Sequence, residues 1–257
     1  MINKFQAIVL PILGGLLFFS VLMGVTLGFV AGNAAVSPAL PWFPVPTLIL
    51  IIAVVWWVNR RWPVRIAGPA GGRAYAVALL LTYAVICLGV LESWLNDVVT
   101  PAPAWPDATV SLGFQLTFLL VIPFIAAVLA EIGFRGIMQT ALEKVLPLWP
   151  MLLLIAVLNF LMHYYDPEQS KQILRLLALN LAWGYITWRV QSIRPALVAH
   201  IAMNIGIPLL QYASENYGPG PVPFGDFPPG TLVISAVSGV LALMAAVYVG
   251  KNLPHGK

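Results

Sequence analysis

Long apolar runs, separated by short polar or Pro/Gly-rich stretches, dominate the chain from end to end. About eight of these runs approach the ~20 residues that a helix needs to cross a bilayer. They lie at about 7–30, 40–58, 74–95, 109–130, 148–165, 173–191, 195–212 and 230–250. The second is interrupted by prolines and the fifth is short, so these two are the weakest. The pattern predicts an all-α fold: a polytopic membrane helical bundle of about eight transmembrane helices, forming a single membrane domain over 1–257. The first run, of about 24 residues, exceeds the ~7–15 apolar residues of a signal peptide, which predicts a retained helix. No internal repeat, low-complexity tract or heptad seam is visible. The stretch YGPGPVPFGDFPPG (217–230) reads as a loop between the last two helices rather than a domain linker.

Composition strengthens this picture. Hydrophobic residues make up 60% of the chain and charged residues 9%, and the mean hydropathy is +0.91. A soluble domain carries roughly 25% charged residues, so a water-soluble reading fails. The net charge of +4 does not point to nucleic acid, because the basic residues fall in short clusters between apolar runs. Cys87 is the single cysteine and sits inside an apolar run, where it reads as a small buried hydrophobe.

The distribution of Lys and Arg sets an orientation. With a cytoplasmic N-terminus, alternate loops collect Lys4; Arg60, Arg61, Arg65 and Arg73; Lys144; Arg189 and Arg194; and Lys251 and Lys257. The opposite loops hold Lys171 and Arg175 beside Asp97, Asp107, Asp166, Glu168, Glu215 and Asp226. This positive-inside asymmetry predicts an integral membrane protein with both termini cytoplasmic. Trp42, Trp56, Trp57, Trp62, Trp94, Trp105, Trp149 and Trp188 fall near predicted ends, as interfacial rings do.

Candidate chemistry lies in polar residues within the spans, which are costly there and often functional. Glu131 and Arg135 are four apart, a helical neighbour spacing. Asn159 and His163 repeat that spacing near the end of the fifth run, and His200 and Asn204 repeat it in the seventh. Each pair also has a structural reading: an ion pair, a histidine hydrogen-bonded to its neighbour, an asparagine joining two helices. Together they supply two imidazoles, a carboxylate, a guanidinium and amides, a set suited to activating a water and stabilising an oxyanion. No Ser or Cys stands out as a nucleophile with a base beside it.

These motifs resemble those of the CPBP family, which includes CAAX prenyl endopeptidases and Abi-type bacteriocin-processing proteins. The family's Glu-Glu-x-x-x-Arg motif is matched by AEIGFRG (130–136). Its Phe-x-x-x-His motif is matched by NFLMH (159–163), with Asn159 at the Phe position. Its His-x-x-x-Asn motif is matched in full by HIAMN (200–204). The stretch 184–204 also looks like the family's approach to that third motif, and the family-like core spans about 110–210.

The resemblance implies an intramembrane endopeptidase that cuts a peptide bond of a membrane-associated protein or peptide. It needs the lipid bilayer and takes no cofactor, metal or nucleic acid. His163 would help the leading Glu to activate water, His200 and Asn204 would hold the oxyanion, and Glu131 with Arg135 would support the site. The leading Glu is replaced by Ala130, whose methyl group cannot accept a proton. The chain is then an inactivated variant, a pseudoprotease or immunity-type binding protein, or an enzyme in which Glu131 has become the base. The last is disfavoured because successive helical residues point ~100° apart. A small proton-coupled transporter using Glu131, His163 and His200 is the alternative from another class, although paired repeats are missing. Zinc is disfavoured because HExxH is absent.

One tension remains in the linear topology. Glu131 and His200 fall near the cytoplasmic face and His163 near the far end of its span. A shared site requires the amphipathic stretch 136–146 to run back into the membrane, or the fifth span to be short and tilted.

Overall fold

The computed structural model describes residues 4–61, 64–66, 68, 70–95, 110–163, 172–217 and 229–253, the side chains of 211–217 excepted. Trp62, Trp105, Asp97, Asp107, Asp166, Glu168, Lys171, Asp226, His255 and Lys257 lie outside these residues, as does most of the 217–230 loop. The side chain of Glu215 is among the exceptions.

All regular structure among the described residues is helical. The helices are α1 (Lys4–Val36), α2 (Pro44–Arg61), α3 (Gly72–Leu95) and α4 (Leu112–Ala130), which continues as a π-helical segment π1 (Glu131–Gln139) and a short α5 (Thr140–Leu142). Then follow α6 (Leu148–Leu161), α7 (Ile173–Val190), α8 (Arg194–Tyr217) and α9 (Pro229–Gly250). Every predicted apolar run thus becomes a helix. The fourth does not end near residue 130 as the sequence pattern suggests. It continues as one 31-residue apolar stretch, Leu112–Leu142.

Four stretches are long and apolar enough to cross a bilayer on length and composition alone: α1, α3, Leu112–Leu142 and α9. Leu148–Leu161 and Arg194–Leu210 are shorter apolar helices. Helix α1 is apolar on nearly all faces and buries only Gly15, Thr26 and Asn33, leaving Leu10, Leu13, Leu17 and Val21 outward. Helix α9 likewise exposes Val233, Ile234, Val237, Leu241 and Met244. Such continuous apolar surface has no counterpart on a monomeric soluble protein. The molecule is an all-α integral membrane protein.

The turn after α1 shows how this chain treats polar backbone in apolar surroundings. Asn33 donates to the carbonyls of Ser37 and Leu40 at 2.9 and 3.0 Å, and its Oδ1 accepts from the amides of Trp42 and Phe43. One buried side chain thereby satisfies four backbone groups that lack a helical partner.

The centre of the bundle is π1. Residues 131–136 and 138–139 are all buried, enclosed by α1, α4, α6 and α7. Helix α1 reaches it through glycines: a Cβ on Gly15 would come within 2.7 Å of the Gly133 carbonyl oxygen, and one on Gly133 within 2.9 Å of that of Gly15. Only glycine allows the two backbones this approach. A second core layer joins α3, α7, α8 and α9 around Ala78, Leu179, Trp183 and Ala199.

Helix α6 has 14 residues, about 21 Å at 1.5 Å per residue, well short of the ~30 Å hydrocarbon core. The stretch 136–146 does not fold back but completes the long helix and turns after Leu142. His163 lies two residues beyond the end of the short α6.

Candidate functional site

Glu131 opens π1, and its carboxylate is fully buried. Oε1 lies 3.2 Å from Arg135 Nη1 and 2.9 Å from His200 Nδ1. The first contact joins one turn of π1 to the next, and the second crosses to α8. π-Helical turns are rare and often mark functional sites, and this one carries the first motif from Glu131 onward, with Ala130 as the last residue of α4. The His200 side chain retains 12% exposure against 0% for Glu131 and Arg135. Of the three, His200 is the group that an entering molecule can touch.

Both histidines are held through Nδ1. His163 Nδ1 is 2.8 Å from the Asn159 carbonyl oxygen. A carbonyl only accepts, so Nδ1 carries the proton and Nε2 of the neutral ring presents its lone pair. His200 Nδ1–H likewise donates to the Glu131 carboxylate, and its Nε2 is left for other work.

A side chain that the sequence reading passed over connects the two halves. Asn180 on α7 accepts from Arg135 Nη2 at 2.6 Å, and its Nδ2 donates to Asn159 Oδ1 at 3.0 Å and to the Leu176 carbonyl at 2.8 Å. The path Glu131–Arg135–Asn180–Asn159–His163 thus runs through π1, α7 and α6. Asn159, which departs from the Phe of the resembling motif, holds one end of it with its amide and His163 with its carbonyl. The signal for Asn180 was available, since it is an amide in the middle of an apolar run. It carried no charge and matched no motif.

Trp183, one turn after Asn180, was also missed. Its ring stacks on His200 with centroids 4.3 Å apart and lies 5.6 Å from the Arg135 guanidinium carbon. Its Nε1 donates to Thr82 Oγ1 at 2.8 Å, and that hydroxyl donates to the Ala78 carbonyl. Helix α3, outside all the motifs, thereby fixes the plane against which His200 rests. Unlike the exposed Trp56, Trp57 and Trp149, Trp183 is buried at 2% exposure.

The structure therefore puts Glu131, Arg135 and His200 in direct contact and links His163 to them through two amides. Asn204 stands apart, its Nδ2 donating at 3.4 Å to the Pro123 carbonyl on α4. Ala130 is buried in an apolar cluster with Phe134, Met138 and Ile155, whose partly buried margin includes Leu158 and Met162 near His163.

Residues 112–206 match the family model described as type II CAAX prenyl endopeptidase Rce1-like. The resemblance to the CPBP family is borne out. The CPBP match begins with α4 and ends within α8, so it takes in all three motifs and the linking Asn180 and Trp183. Helices α1, α2, α3 and α9 lie outside it. Comparisons with curated proteins and with solved structures returned no match. The match supports a CAAX-type intramembrane endopeptidase-like fold.

Proposed function

We propose that the chain is an intramembrane endopeptidase of the CPBP type that binds a membrane-associated protein or peptide and, with alanine at position 130, hydrolyses it slowly. The observation that carries this reading is the state of Glu131. Its carboxylate is fully buried and shared between Arg135 and His200, so it orients other groups and is poorly placed to draw a proton from water.

The remaining residues divide the chemistry. His163 presents Nε2 as the acceptor for a proton of the attacking water. Glu131 holds the His200 ring at Nδ1, and when Nε2 takes up a proton from solvent the ring donates a hydrogen bond to the oxyanion that develops on the scissile carbonyl oxygen. This is the orienting role that a buried carboxylate plays beside a catalytic histidine. Asn204, one turn along α8, offers an amide to the same oxygen once its 3.4 Å bond to Pro123 is exchanged. By the positive-inside pattern, both termini and Lys144 face the cytoplasm, and the substrate enters from that side.

Ala130→Glu tests the proposal. A positioned base contributes about 10²–10⁴-fold, so cleavage of a membrane-peptide panel should rise by that order. His200→Ala in the same background should remove the gain. If the parent is already as fast and Glu131→Gln silences it, Glu131 is the working base. If Ala130→Glu binds peptide without cutting it, the pseudoprotease reading replaces ours; the apolar surroundings of Ala130 are the observation that favours it.

A further inference from the structure

The Gly15–Gly133 crossing has a consequence on the outer side of π1. The two helices touch there backbone to backbone, and the amino-terminal turns of α1 run on alongside the far end of π1 and α5. Between them lies a half-open groove of about 350 Å³, within the range of small-molecule sites. Leu10, Gly14, Ile137, Thr140 and Ala141 line its apolar length, and Lys144 stands at its end.

Three features define what fits. The groove is apolar, and the outward faces of α1, with Leu10 57% and Leu17 61% exposed, make its open side a bilayer-facing one. Gly14 leaves its floor open: a Cβ there would meet nothing nearer than Ile137 Cγ2 at 3.9 Å. Lys144 is exposed and forms no ion pair among the described residues. The adjacent acid, Glu143, is held by both terminal nitrogens of Arg65 at 2.8 and 2.7 Å and by Gln139 Nε2 at 3.1 Å. A free ammonium at the mouth of an apolar groove in a bilayer-facing wall calls for a ligand with an acyl tail and an anionic head.

We propose that this groove is a binding site for an anionic phospholipid, its acyl chain lying along Gly14 and Ala141 and its phosphate paired with Lys144. The wall opposite Gly14 is the outer surface of the helix whose inner surface bears Glu131 and Arg135. Thr140 joins the two, since it lines the groove while its hydroxyl donates to the Arg135 carbonyl at 3.2 Å. Occupancy would therefore stiffen the end of π1. This site is independent of whether the chain cleaves anything.

The experiment uses the full chain purified in a neutral detergent and titrated with dioleoyl phosphatidylglycerol or dioleoyl phosphatidylcholine. Bound lipid is counted by native mass spectrometry and the melting temperature is followed in parallel. We expect one phosphatidylglycerol retained at least tenfold more tightly than phosphatidylcholine, with a rise in melting temperature that phosphatidylcholine does not give. Lys144→Gln should abolish that preference while keeping the parent's melting temperature without lipid. Gly14→Leu, which fills the groove, should lower retention of both lipids. Equal retention of the two lipids, an undiminished preference in Lys144→Gln, or full displacement by the tail-less headgroup glycerophosphoglycerol would each overturn the proposal. If Gly14→Leu proves unstable, Ala141→Leu takes its place on the opposite wall.

Discussion

Glu92 and Glu131 are both buried carboxylates in an apolar bundle, yet their surroundings differ atom by atom. Glu92, near the end of α3, spends one oxygen on the Leu174 amide at 2.8 Å and the other on the Arg175 amide at 2.9 Å. Those amides belong to the first turn of α7, which has no helical acceptor for them. The acid also faces the positive end of the α7 dipole. Glu131 gives Oε1 to two side chains, while Oε2 accepts no hydrogen bond from the described residues. Backbone partners cannot leave, so Glu92 is a permanent joint between α3 and α7. Side-chain partners can exchange, and a carboxylate with an unspent oxygen retains capacity for them. Burial alone does not tell the two acids apart; the kind of partner and the unspent oxygen do.

The comparison breaks most sharply at Arg135. Arg135→Ala leaves the buried Glu131 with only His200, and stranding one member of a buried pair costs about 3–5 kcal/mol. We expect the largest loss of stability of any single change discussed, read as the melting temperature in one detergent. The double variant Glu131→Gln/Arg135→Met should recover much of it, because neither charge is then stranded. Should Arg135→Ala melt with the parent, Glu131 is not held as an ion pair and the contrast with Glu92 fails.

Glu92→Gln sharpens the same contrast from the other side. It keeps one acceptor but loses the charge on two amide bonds, worth about 1.5–3 kcal/mol. The loss should be local: faster hydrogen exchange at Leu174 and Arg175, and a melting temperature between those of the parent and Arg135→Ala. In the Ala130→Glu background, Glu92→Gln should leave kcat near that of its parent, because Glu92 touches neither histidine. A collapse of kcat with unchanged exchange would mean that Glu92 acts in the site after all.

The difference between the two acids also explains what was legible in the sequence. The helices were, because lipid-facing apolar runs need no tertiary information. As candidates, Glu131, Arg135, His163, His200 and Asn204 were, because a polar group in an apolar run is conspicuous and the three motifs fix their order. Two things were not. The π-helical turns of 131–139 and the continuation of the helix to Leu142 depend on packing around Gly133, which no local preference announces. The partnerships of Glu92, Asn180 and Trp183 join residues far apart in the chain. Each residue was visible as polar or aromatic, but its function lies in the distant group that it meets.

Trp183 gives the finest test, since it belongs to the fold and to the site at once. Its stacking on His200 depends on the ring face, and its hydrogen bond to Thr82 depends only on Nε1. Trp183→Phe keeps an aromatic face and deletes the bond, so the stability cost should be about 0.5–1.5 kcal/mol, the smallest of the series. Thr82 keeps its own bond to the Ala78 carbonyl and is not left as an unsatisfied donor. If the joint with α3 sets only the position of the ring, Trp183→Phe in the Ala130→Glu background should lower kcat a few-fold and leave KM unchanged. His200 would then sample orientations in which Nε2 misses the oxyanion, while substrate contacts elsewhere persist. Thr82→Val, which removes the same bond and keeps the indole, should reproduce the fall in kcat at a larger stability cost of about 1–3 kcal/mol, because it strands the buried Nε1–H. A change in KM with kcat preserved would instead place Trp183 against the bound peptide and make it part of the substrate's own pocket.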